Sequence, residues 1–227
     1  ARRTQIIQLG EGEKASDMYT MTDVMPVENY WIEVSENGLL SRTEGDKPNR
    51  LGGDGAPWSM IRTNTHQTVF LVTTEGKAAA ISSYSVPVQK AEEEGVPASK
   101  VAPLHKNDIL QGIFAVPING EADKERYVVT VTRQGMIKRS AVGDLPGASA
   151  STFTLVKVNE NDELFEVLLT RGDQDLLLVT AAGMSIRFNE NEVRSMGLVA
   201  AGVNAIKLKP GDYVVGAAAI DDRDEVA

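Results

Sequence analysis

The 227 residues carry 23 basic against 32 acidic side chains, a net charge of −9, two histidines and no cysteine. That length can bury one sizeable core, while the acidic balance argues against nonspecific attraction to nucleic acid or an anionic membrane unless the cations gather on one face. Disulfides, thiolate chemistry and Cys-based metal sites are excluded, which is compatible with a reducing cytoplasm, the expected location; with no apolar run of 18 residues and no signal pattern the chain reads as soluble, with no membrane partner.

Residues 1–29 are polar and unlike the rest, and are expected to form an entry strap against the first hairpin, with the repeat body spanning residues 30–227. Four near-copies of one pattern follow: an apolar strand, a tight turn ending in glycine, and a return strand. They are residues 30–42 (YWIEVSENGLLSR), 69–80 (VFLVTTEGKAAA), 127–139 (YVVTVTRQGMIKR) and 176–187 (LLLVTAAGMSIR). Their turn glycines, Gly38, Gly76, Gly135 and Gly183, stand 38, 59 and 48 residues apart. Hairpins repeating at about that period signal a radial or stacked architecture, so function belongs to a surface built by several repeats. In the third copy Val129 and Val131 share one face, and Val128, Thr130 and Thr132 the other. The first strand of the fourth copy is more apolar, the pattern of a strand buried on both faces.

A second motif alternates with the first. Residues 101–112 (VAPLHKNDILQG), 155–167 (LVKVNENDELFEV) and 205–216 (AIKLKPGDYVVG) each place Asp108, Asp162 or Asp212 in a polar turn between apolar stretches. There the carboxylate is expected to accept from the backbone two residues on. Each unit thus reads as four short strands. Residues 43–58 and 87–100, rich in glycine, proline and charge, read as surface connections or disordered loops, and only residues 191–196 offer a helical turn. The chain begins at Ala1 rather than Met and stops just after a strand signal at residues 213–220, so it is expected to be a piece of a longer protein whose last strand lacks a partner.

No constellation points to catalysis. His66 and His105 stand alone, and the acidic runs at Glu92, Glu93, Glu94 and at Asp221, Asp222, Asp224 read as solvated loop charge, so no catalytic or metal-binding residue is assigned. The glycine-rich stretch Arg50-Leu-Gly-Gly-Asp-Gly55 can cradle a phosphate through backbone amides, but lacks the Lys-Ser/Thr ending of a nucleotide loop; a plain flexible connector is the competing reading. Arg42, Arg139 and Arg187 recur at one place in three hairpins, with Lys138 beside one and Ala80 in the fourth. At one level around a radial fold they are placed to touch a phosphate backbone in succession; alternatively a strand end at the surface simply takes a long polar side chain.

The opening ARRTQII, the hairpins above and the long stretch LLLVTAAGMSIRFNENEVRSMGLVAAGVNAIKLKPGDYVVG resemble, in order and over nearly the whole chain, the carboxyl-terminal domain of the DNA gyrase A subunit, with topoisomerase IV as close relative. The resemblance implies an all-β pinwheel, a propeller-like disc of four-stranded blades, with about four blades here and the disc open or truncated. It implies a noncatalytic domain that binds and wraps double-stranded DNA around its rim, guiding strand passage and negative supercoiling. By the same token the partners are the B subunit of the enzyme together with the rest of the A subunit, near the nucleoid. The breaking-and-rejoining tyrosine lies outside this chain, no cofactor serves the domain, and ATP and Mg2+ serve the holoenzyme. The family's box Gln-Arg-Arg-Gly-Gly-Lys-Gly falls on residues 49–55, where Leu51 and Asp54 replace basic residues; residues 89–95 are acidic, and the loop from Gly197 to Gly202 carries no cation. Expected DNA contacts are Arg42, Lys47, Arg50, Gly52, Gly53, Gly55, Lys138, Arg139, Arg187 and Arg194. The eroded box and the charge of −9 leave an alternative, a protein-interaction module that has lost wrapping.

Overall fold

The computed structural model describes residues 25–45, 47, 48, 56–89, 95–117 and 125–221. Among the described residues, fifteen short strands are arranged as four antiparallel sheets. The chain runs β1 (Asn29–Val34), β2 (Leu39–Glu44), β3 (Ser59–Asn64), β4 (Gln67–Thr73), β5 (Lys77–Ser82), β6 (Val96–Pro97), β7 (Leu110–Pro117), β8 (Tyr127–Thr132) and β9 (Met136–Ala141). It continues with β10 (Thr152–Thr154), β11 (Leu164–Thr170), β12 (Asp175–Thr180), β13 (Ser185–Asn189), β14 (Val203–Asn204) and β15 (Val214–Ile220).

Each sheet is built on one glycine hairpin, so the four copies seen in sequence become four blades. The strand orders are β3-β1-β2-β6, β10-β5-β4-β7, β11-β8-β9-β14 and β13-β12-β15. Every outer strand beside a hairpin's return strand is supplied by the following repeat: β6 pairs with β2, β10 with β5 and β14 with β9. Among the described residues β13 has no such neighbour. On the other side, β7 packs against β3 and β11, and β11 against β15, so these strands form the hub and β6, β10 and β14 the rim.

Side chains alternate between blades. Val69 and Leu71 of β4 pack with Ile32 and Val34 of the first blade, whereas Phe70 and Val72 pack with Val128 of the third. Val129 and Val131 then meet Leu176 and Leu178 of the fourth. Strands sandwiched this way are apolar on both faces. The fourth hairpin departs from its sequence reading: Leu176 and Leu178 are buried but Leu177 and Val179 only partly, because no described sheet stands beyond them. The hairpin first strands buried on both faces are β4 and β8.

The connector 87–100 is not a plain loop. Pro87 accepts from Arg42 N and Gln89 donates to Arg42 O, and the segment continues as β6 and a short helix, α1 (Ala98–Val101). Proline is tolerated there because the strand is an edge. Residues 90–94, including Glu92, Glu93 and Glu94, lie outside the described residues, as do residues 1–24 of the expected strap and Asp222 and Asp224. Residues 25–28 lie against the β3–β4 turn, where Pro26 O accepts from Thr65 Oγ1. The helical turn expected at 191–196 is a 3-10 turn at Glu190–Glu192.

A candidate nucleic-acid interface on the rim

The return strands set the recurrent arginines. In each hairpin the position four residues after the turn glycine is Arg42, Ala80, Arg139 or Arg187, and its main chain is overlaid by the next repeat in three of four blades. Pro87 and Gln89 bracket Arg42, Ser149 N donates to Ala80 O, and Met196 N donates to Arg139 O. That overlay, with the packing of neighbouring blades, draws the first and third arginines inward.

Arg139 is 6% exposed and Lys138 1%, which removes both from the surface a phosphate can reach and corrects the sequence reading. The Arg139 guanidinium lies 4.2 Å over the Tyr127 ring, 3.6 Å from the Glu190 carboxylate, and donates to Asn191 Oδ1 at 2.8 Å. Glu190, fully buried, also accepts from Thr170 Oγ1 and from the amides of Gly172 and Gln174, so this cluster fastens the third blade to the fourth. Arg42 repeats the arrangement, 4.7 Å over Tyr30. The Tyr30 hydroxyl donates to Ser83 Oγ; burial raises its pKa, against the lowering effects of Ser83 and Arg42. A tyrosine twelve residues before the arginine was the sequence signal for this burial. At the fourth hairpin that place is Asp175, and Arg187 pairs with it at 2.8 Å on the surface, the hydrogen bond holding the carboxyl below its ordinary range.

Lys138 is directed between blades. Its ammonium donates to Leu155 O and, at 2.7 Å, to Leu198 O. Burial among apolar neighbours lowers its pKa to about 8, with Asp144 opposing the shift.

Of the remaining expected contacts, Lys47 and Arg194 are exposed, Lys47 after β2 and Arg194 on the rim segment beside β9. Arg50, Gly52, Gly53 and Gly55, with Leu51 and Asp54, lie outside the described residues. The sequence reading missed a more regular set. Lys100, Lys157 and Lys207 each stand three residues beyond a rim strand, β6, β10 and β14, and all three are exposed. The signal was the recurring A-S-K-V, L-V-K-V and A-I-K-L, in which two small or apolar residues precede a lysine and another follows. In the second and third of these the pair covers the previous hairpin's turn: Leu155 and Val156 donate to Gly76 O, and Ala205 to Gly135 O.

The motif aspartates act otherwise than expected. Asp162 Oδ1 accepts from Glu163 N and from Gln134 N of the third hairpin turn, and Asp212 Oδ1 from Tyr213 N and from Ala182 N of the fourth, so they clasp hub turns to hairpin turns. Asp108 caps its own turn at His105 N. Neither histidine belongs to a cluster of metal-binding type among the described residues.

The family model described as "DNA gyrase C-terminal domain, beta-propeller" matches residues 67–117, 126–171 and 174–221. The chain belongs to the DNA gyrase C-terminal domain family. Each matched stretch runs from a hairpin's first strand to its hub strand, so the gyrase C-terminal repeat and the blade, with its rim strand donated backward, are one unit. The DNA gyrase A subunit of Staphylococcus epidermidis is 30% identical over 99% of this chain and 26% of its own length; that of Haloquadratum walsbyi is 30% identical over 97% and 27%. The chain therefore spans about a quarter of these relatives. Among solved structures, a topoisomerase IV C-terminal domain superposes with TM-score 0.73 at 26% identity, covering 88% of this chain and 64% of that one. A DNA gyrase A C-terminal domain (TM-score 0.63, 20% identity, 86% and 66% covered) shares the fold.

Proposed function

We propose that this domain binds double-stranded DNA along its rim and wraps it, without catalysing a reaction itself, as part of the A subunit of a gyrase-type topoisomerase that works with a B subunit. The breaking-and-rejoining tyrosine, ATP and Mg2+ belong in this reading to the rest of that enzyme. One observation carries it: Lys100, Lys157 and Lys207 repeat at the same place beyond successive rim strands, exposed and without an ion pair among the described residues. One such cation on each of three successive blades matches the way a duplex presents phosphates to a curved surface. It also overcomes the net charge of −9, because contact depends on local rather than total charge. Arg194 and Lys47 extend the set on the third and first blades. Arg187, already bound to Asp175, contributes less.

The test is a salt titration of duplex DNA binding. Replacing Lys100, Lys157 and Lys207 together by Ala is expected to flatten the slope of log K against log salt by about 2.7, since each phosphate contact contributes about 0.9. An unchanged slope and affinity would reject the rim assignment.

A further inference from the structure

We propose that Lys138 is a positioning residue: a buried ammonium that latches the rims of the second and third blades together and thereby fixes the path along which DNA passes from Lys157 to Lys207. This rests on the DNA-binding reading above.

This side chain bonds to both rim segments. Leu155, just beyond β10, belongs to the cap over the second blade's hairpin, and Leu198 to the loop running along the third blade toward β14. Lys138 rises from β9 opposite Thr130 and donates to both carbonyls. Around it, Val142, Leu155, Val156, Leu145 and Leu198 form one apolar cluster. A buried carbonyl without a donor is costly, so withdrawing the ammonium releases both segments at once. A main-chain hydrogen bond from Lys157 N to Ala200 O, at 3.2 Å, also ties them. Lys157 therefore sits two residues from one end of the latch, on a segment whose position the latch sets. The corresponding positions of the other hairpins are Ser41, Ala79 and Ile186, none of which carries a cation, so the device is particular to this pair of blades.

A positioning role predicts a separation that mere core packing does not: the shape of bound DNA changes while the strength of phosphate contact does not. Lys138→Met, in the whole 227-residue chain, keeps the apolar stem and removes the donors. Because the chain has no cysteine, spin labels can be placed on Ser151→Cys and Val199→Cys, exposed sites on the two rims. The expected result has two parts. The 151–199 distance distribution broadens in Lys138→Met without DNA. With nicked circular DNA closed by ligase, the linking-number change per bound chain falls by about twofold or more while affinity and salt slope stay within about twofold. Lys138→Gln, which retains an NH2 donor one bond shorter in reach than the ammonium, gives an intermediate result and takes the place of Lys138→Met if that variant does not fold.

An unchanged distance distribution overturns the latch. So does an unchanged linking number in a variant that still binds. A loss of affinity and salt slope like that of the triple lysine variant also overturns it, since Lys138 would then touch phosphate directly. If the parent chain neither binds nor wraps DNA, the DNA reading and the role in guiding DNA fall together, and the distance measurement alone decides whether the latch exists.

Discussion

Arg139 and Arg187 occupy the same place in two hairpins, and the structure separates them sharply. Arg139→Ala removes the partner of a fully buried carboxylate and the guanidinium over Tyr127. Breaking a buried pair from one side costs about 3–5 kcal/mol. In a domain of this size each kcal/mol lowers the melting temperature by about 2–4 °C, so a fall of about 6–20 °C is expected. Arg187→Ala breaks an exposed pair with Asp175, in which the arginine side chain is 46% accessible. Such pairs are worth about 0–1 kcal/mol, which corresponds to a shift of no more than about 4 °C. Thermal melting by near-ultraviolet circular dichroism, at matched concentration, distinguishes the two. Neither change is expected to flatten the salt dependence of DNA binding as the rim lysines do. If both variants melt alike, or if Arg139→Ala stays folded but loses a phosphate contact's worth of salt slope, the interior assignment of Arg139 is wrong.

The turn glycines offer a second contrast: Gly76 and Gly183 share a φ of +78°, but a Cβ at Gly76 collides with Val156 O while one at Gly183 meets nothing within 4 Å. Gly183→Ala should therefore cost only the conformational strain, about 1–2 kcal/mol, and Gly76→Ala clearly more, as read from urea midpoints. Asp162→Ala, which strips the acceptor from Gln134 N and Glu163 N, should destabilise by about 1–3 kcal/mol and speed amide exchange at Gln134; unaltered exchange there would deny the clasp. Lys138 gives a pH test. Its folded pKa is lowered by burial from 10.5 to about 8, so below pH 8 both folded and unfolded chains hold the proton and its contribution is flat. Between about 8 and 10.5 only the unfolded chain holds it, so stability relative to Lys138→Met should rise with pH through that window. A constant difference in urea midpoint from pH 7 to 10 would contradict it.

The sequence by itself determined the hairpins, because alternation of side chains and a glycine able to take positive φ are local properties that need no knowledge of the neighbours. Four copies of that local unit then implied a radial or stacked repeat, and the resemblance to the gyrase C-terminal domain, carried by the same residues, narrowed it to a disc of about four blades. The rim lysines were also written there, in A-S-K-V, L-V-K-V and A-I-K-L, though their common position became apparent only once β6, β10 and β14 were known to be outer strands.

What tertiary structure alone decided was the fate of residues whose surroundings come from another repeat. The rim strands β6 and β14 are two residues long and β10 three, too short to show a period, and they exist because a preceding hairpin offers an unpaired edge. For the same reason one recurrent arginine can be buried and another exposed. Met196 and Glu190 close over Arg139, whereas no described segment closes over Arg187. A side chain's type is local information; whether it meets water or a neighbouring blade is set by chain that lies tens of residues away.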